Sequence, residues 1–126
     1  MNREYLFRGK TKRNEWIYGD LITHGIDFDD AIKQHHTREV WDIIPETVGQ
    51  YVGLKDKNGK KVFEGDYLII AYQGIYLNEG VVEYNDKDYC WCLRKPNGLL
   101  VRLNEHGTDF FQVIGNIHDN KELLGE

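Results

Sequence analysis

The residues best suited to chemistry crowd into one polar stretch: His24, Asp27, Asp29, Asp30, His35 and His36. Carboxylates and imidazoles together can hold a divalent metal or move protons. The set lacks the fixed ligand spacing of a recognised site, such as the paired histidines of a metalloprotease helix. A solvated loop would supply the same letters. The segment from Gly25 to Glu39 reads as a long functional or disordered loop, with a helical turn allowed by the spacing of Phe28 and Ile32. His106 and His118 are isolated and read as turn or surface residues. No phosphate-binding glycine loop, nucleophile elbow or zinc pattern occurs, so an ordinary enzyme of those classes is disfavoured and nothing calls for a cofactor or a metal.

Cys90 and Cys92 are the only cysteines. Two apart in a strand, they face one side and Trp91 the other. Their thiols would be reactive if a neighbouring positive charge lowered their pKa; otherwise they are two small residues packed on a sheet face. A pair so placed is no disulfide framework, and Met1-Asn2-Arg3-Glu4 lacks the apolar core of a signal peptide. The apolar run from Tyr67 to Tyr72 is far too short to span a bilayer. These features point to a reducing cytoplasm and no membrane.

Basic residues gather twice: Arg8, Lys10, Lys12 and Arg13, then Lys55, Lys57, Lys60 and Lys61. Both groups fall at apparent turns and read first as solvated hairpin tips. Of these, Lys57, Lys60 and Lys61 are the candidates for nucleic-acid contacts. The whole chain opposes that use, because 21 acidic residues against 16 basic ones give a net charge of −5.

The elements that position these residues are mostly strands. The chain has 126 residues, with eight Tyr, five Phe and three Trp, and its glycines far outnumber its prolines. Large aromatics suit strands and narrow barrels, and the glycines suit tight turns. Glu4 to Phe7 and Glu15 to Leu21 alternate apolar and polar residues across the polar stretch Gly9 to Asn14, which reads as a hairpin. A strand from Val40 to Ile44 ends at Pro45. Tyr51 to Leu54 and Lys61 to Phe63 flank Asp56-Lys57-Asn58-Gly59, where Asn-Gly predicts a type I′ hairpin turn. Further strands are expected at Tyr67 to Tyr72, Gly80 to Tyr84, Tyr89 to Leu93, Leu99 to Leu103 and Phe110 to Ile114, and a short helix from Asp119 to Leu124. The fold class is mainly β: an N-terminal β-hairpin and loop region over 1–54, then a small barrel over 55–126 with the short C-terminal helix. One continuous domain is the alternative.

The run VGQYVGLKDKNGKKVFEGD, from Val48 to Asp66, closely resembles the YopX family of phage and prophage proteins. So does Val113-Ile114-Gly115-Asn116-Ile117-His118-Asp119-Asn120, followed by Glu122-Leu123-Leu124. Phe7-Arg8-Gly9-Lys10 and Glu15-Trp16-Ile17-Tyr18-Gly19 are similar to the family's opening. The resemblance implies that the barrel is of SH3 type and that the gene is carried by a phage or prophage, which places the protein in a bacterial host's cytoplasm. It implies no chemistry, and no catalytic residue is carried over. The central run has a structural reading throughout: glycines for turns, Tyr51 and Phe63 for packing, and Glu64-Gly65-Asp66 to bend the chain into a strand.

Three functions follow. A non-enzymatic interaction module, self-associating and able to bind a host or phage protein, fits the missing catalytic motifs and the abundant Tyr and Trp. A nucleic-acid-binding small barrel would stack bases on aromatics and use the basic turns for phosphate. An enzyme would use the residues between His24 and His36. Electrostatics makes the second testable: double-stranded DNA should not bind tightly, because flanking acids such as Asp56, Glu64 and Asp66 dilute the basic groups. Fluorescence anisotropy with a short labelled duplex at about 0.15 M salt, where charges are screened within roughly 8 Å, should show no submicromolar binding. Tight, steeply salt-dependent binding that is lost on replacing Lys57, Lys60 and Lys61 would reverse this.

Overall fold

A computed structural model describes residues 4–23, 30–103 and 105–124. The fold is mainly β, with curled antiparallel sheets and a half-barrel. Eleven strands run in chain order among the described residues: β1 (Phe7–Lys10), β2 (Trp16–Ile22), β3 (Ala31–Lys33), β4 (Val40–Asp42), β5 (Gly49–Lys55), β6 (Lys61–Phe63), β7 (Asp66–Tyr72), β8 (Ile75–Asn85), β9 (Cys90–Arg94), β10 (Leu100–Arg102) and β11 (Phe111–Asn116). The chain divides into two compact units, Met1–Tyr51 and Val52–Glu126, with the boundary inside β5.

In the first unit the strand order is β4-β3-β2-β1-β5. The opening hairpin is present, but its turn is tighter than the expected Gly9 to Asn14 stretch. Pairing continues to Lys10 against Trp16, because Thr11 accepts at both levels: its carbonyl from Asn14 N–H and its hydroxyl from Arg13 N–H. The expected loop from Gly25 to Glu39 contains β3, paired to both β2 and β4. Ala31 and Ile32 there are fully buried. Their burial outweighs the polar character of the flanking residues, which is why composition alone hides the strand. Ile17, Ile32 and Ile43 form this unit's core, with Phe7, Leu21, Trp41 and Val48 against them.

In the second unit β5 pairs with β6, and a five-stranded sheet runs β10-β9-β8-β7-β11. Period-two alternation sends Leu68, Val82, Leu93 and Phe111 inward to meet Val62, and all five are buried. Each such side chain contributes about 1.5–3 kcal/mol of apolar burial. The Glu64-Gly65-Asp66 bend is built as the sequence suggests. Gly65 takes a φ of +92°, and Asp66, almost wholly buried, accepts the Phe63 N–H at 2.7 Å. The tail expected as a helix makes only a single 3₁₀ turn over Lys121–Leu124.

The Asp56 to Gly59 turn differs in type from the expected one. Gly59 has a φ of +81°, whereas Asn58 is not left-handed, so this is not a type I′ turn. Gly59 N–H donates to the Asp56 carbonyl, and Asp56 N–H to the Lys60 carbonyl. That is a three-residue loop closed by a left-handed glycine. The Asp56 side chain decides the choice. It is buried, and its Oδ1 accepts the N–H groups of Asn58 and Lys60 at 2.9 Å each. Its Oδ2 accepts the Val113 N–H of β11 at 3.0 Å. The true two-residue turn with both residues left-handed lies elsewhere, at Gln73-Gly74 between β7 and β8.

Burial pushes the Asp56 carboxyl up, but the Val113, Lys60 and Asn58 N–H groups and the Lys60 charge outweigh it and hold its pKa below the ordinary value. Its stabilisation is therefore complete above the unfolded-chain pKa of about 3.9, and is lost as pH falls through the lower folded value. Thermal melts should show the wild type losing stability below about pH 4 more steeply than Asp56→Asn, which lacks the titrating group. Gly59→Val should destabilise by roughly 1 kcal/mol or more, since a β-branched residue resists positive φ, and Asn58→Gly should be tolerated. An unchanged melting temperature for Gly59→Val would contradict the left-handed assignment.

Candidate functional site

Of the polar residues between positions 24 and 36, His24, Asp27 and Asp29 lie outside the described residues. Asp30 immediately precedes β3, and its carbonyl accepts the Ile43 N–H at 3.0 Å. His35 and His36 stand exposed in the turn between β3 and β4. His35 Nε2 approaches Asp20 Oδ1 on β2 to 2.8 Å, with both side chains open to solvent. The turn itself is held by Gln34, whose Oε1 accepts from Thr37 Oγ1 at 2.9 Å and Trp41 Nε1 at 3.1 Å. These contacts shape a hairpin. Among the described residues no group of three His, Cys, Asp or Glu is placed to hold a metal ion.

The lysines divide by exposure. Lys57 and Lys60 point to solvent around the buried Asp56, whereas Lys61 is half-buried at the start of β6. In the first basic group, Lys12 and Arg13 occupy the turn, but Arg8 and Lys10 do not. Both are buried on β1, with Arg8 Cζ 4.5 Å and Lys10 Nζ 5.3 Å from the centroid of the Trp16 ring. Alternation along β1 puts the two cations on one face, and the Lys10–Trp16 register brings the indole between them. The spacing Arg8-x-Lys10 carried this signal in the sequence. Without the register, the cations read as part of a tip.

One feature with exposed apolar side chains was not singled out from sequence. It is the end of the β7–β8 hairpin. β11 pairs with β7 only as far as Ile70, and β9 pairs with β8 only from Val81 onward. Among the described residues, Ala71–Tyr72 and Ile75–Leu77 therefore form a two-stranded arm beyond both neighbouring strands, while Asn78 to Gly80 lie beyond β9 alone. Gly80 marks where pairing with β9 stops. A Cβ there would lie 2.1 Å from the Arg94 carbonyl oxygen, so only glycine lets β9 leave the sheet at this point. A register shift between Ile70 and Ala71 re-aims the arm.

The arm is strongly apolar. Tyr72, Ile75, Tyr76 and Leu77 are all exposed, with Tyr76 at 71% and Ile75 at 64%. Phe110 packs edge-on against Tyr72, with centroids 5.1 Å apart. The signal in the sequence was Gly74 followed by three large apolar residues; it marks a turn and a strand, but not where β9 and β11 stop. The thiols fall as expected from alternation. Cys90 and Cys92 share one face of β9, and Trp91 packs on the core.

No helix among the described residues is long and apolar enough to cross a membrane. None of the curated proteins compared with the chain matches it. A solved structure is similar over nearly the full length of both chains: protein EF1440 from Enterococcus faecalis. It is 26% identical, covers 98% of this chain and 99% of its own, and superposes with a TM-score of 0.62. The central run from Val48 to Asp66, with its buried Asp56 and its left-handed Gly59 and Gly65, and the closing strand β11 both lie within residues 6–125, which match the family model described as YopX protein. The chain belongs to the YopX family.

Proposed function

We propose that this protein is a non-enzymatic, self-associating interaction module serving a phage or prophage in the bacterial cytoplasm, with the β7–β8 arm as its contact element. The arm is the observation that supports this reading. A two-stranded hairpin is marginal by itself in water, and its open edges invite pairing. Among the described residues no strand pairs with the arm beyond the ends of β9 and β11. Tyr72, Ile75, Tyr76 and Leu77 stand exposed at its end, and large exposed apolar side chains grouped together mark protein contact surfaces.

A second copy of the chain is the simplest occupant. In a two-fold interface the same patch serves both subunits, so each buried side chain counts twice. Burying Ile75, Tyr76 and Leu77 would contribute about 1.5–3 kcal/mol apiece. The arm carries no charge to oppose this, because Ala71 to Leu77 includes neither an acidic nor a basic residue.

Light scattering on the purified chain at micromolar concentration should give an oligomer mass. The double variant Tyr76→Asp, Leu77→Asp should dissociate it while keeping the wild-type far-ultraviolet circular dichroism, because both side chains lie outside the core. A monomeric wild type, or an oligomer that survives the double variant, would overturn the reading.

A further inference from the structure

On β9, Cys90 Sγ and Cys92 Sγ lie 3.5 Å apart. Cys92 is buried and Cys90 half-buried, so the two sulfurs differ in access. The positive charge that would activate a thiol comes from the neighbouring strand. Arg102 on β10 stands directly opposite Cys92 in the register, so its side chain falls on the face that the two thiols share. The other charged groups on this side are Asp88, in the turn before β9, and the Glu83–Arg94 pair across β8 and β9. Glu83 and Arg94 neutralise each other at 2.9 Å, which leaves Arg102 facing the thiols.

We propose that Cys90 and Cys92 form a redox-active dithiol that exchanges with low-molecular-weight disulfides, Cys90 attacking and Cys92 resolving.

Cys90, the more accessible of the two, attacks as its thiolate one sulfur of the incoming disulfide. The S–S bond breaks, one thiolate leaves, and Cys90 carries the other half as a mixed disulfide. Cys92 then gives up its proton to solvent and attacks the Cys90 sulfur, expelling the second thiolate. The dithiol loses two electrons and two protons, and the disulfide becomes two thiols. The order of attack follows from the site. Burial, and then the hydrogen bond and charge of Cys90, push the Cys92 thiol up, so it is the poorer first nucleophile. A disulfide bond is about 2.05 Å long, so closure brings the sulfurs roughly 1.5 Å nearer. Cys90 is the first residue of β9 and follows Tyr89, which is left-handed at a φ of +54°, so the adjustment falls at a strand end rather than within the sheet.

The test is intact-mass spectrometry on the full chain after reduction, desalting and exposure to oxidised glutathione. Wild type should become lighter by two hydrogens. Cys92→Ala should stop as a mixed disulfide heavier by one glutathione, and Cys90→Ser should stay unmodified. Arg102→Gln, a change at an exposed residue, should slow the reaction by about tenfold, because the thiolate loses its cation. The proposal is overturned if wild type remains a dithiol or takes up two glutathiones. It is equally overturned if Arg102→Gln reacts at the wild-type rate. None of these masses depends on the oligomeric state.

Discussion

One buried carboxylate ties the second unit together. Asp56 accepts three backbone N–H groups, two from its own turn and one from Val113, fifty-seven residues later. Lys57 N–H adds a fourth bond by donating to the Phe111 carbonyl at 2.9 Å. These contacts use backbone groups of β11 on the side away from β7, so the turn caps an edge that would otherwise invite pairing. An acceptor-only carboxylate surrounded by donors is strongly favoured in its charged form, and replacing it would strip three part-buried N–H groups of their acceptor. The conformation of the turn, the position of β11 and the burial of Phe111 all depend on it.

The same reversal recurs at other hairpins. Thr11 to Asn14, Asp56 to Gly59 and Lys95 to Gly98 each close with a last residue at positive φ and an N–H donated back to the first residue's carbonyl. Each turn sets a register, and the register decides which side chains meet. Lys10 opposite Trp16 makes the cation–aromatic stack, and Arg102 opposite Cys92 brings a guanidinium to a thiol pair. Chemistry in this protein is thus a consequence of pairing more than of local motif. The arm follows from the same rule, because it begins where β9 and β11 stop pairing.

Much of the architecture was legible from local chemistry. Alternation located most of the strands, and glycine after a polar turn residue located the reversal at Gly59. Glu64-Gly65-Asp66 announced its bend, and the spacing of Cys90 and Cys92 put both thiols on one face. Local letters were less informative where burial or a distant partner decides. β3 was obscured because Ala31 and Ile32 are flanked by polar residues and are identified as core only by Ile17 and Ile43. Arg8 and Lys10 looked like solvated charges until Trp16 covered them. The 119–124 tail has helical residue types, yet it is too short to gain helix cooperativity and makes one 3₁₀ turn.

By itself, then, the sequence determined a strand-rich fold, the places where the chain reverses and the faces on which neighbouring side chains fall. Those properties depend on residues a few positions apart, through the two-residue period of a strand and the few residue types that accept positive φ. Tertiary structure alone decided that Asp56 reaches Val113, that Arg102 lies opposite Cys92, and that Tyr76 and Leu77 extend past the last paired residue of their neighbours. Each depends on segments distant in the chain, and no periodicity records which strand will lie beside which or where its pairing ends.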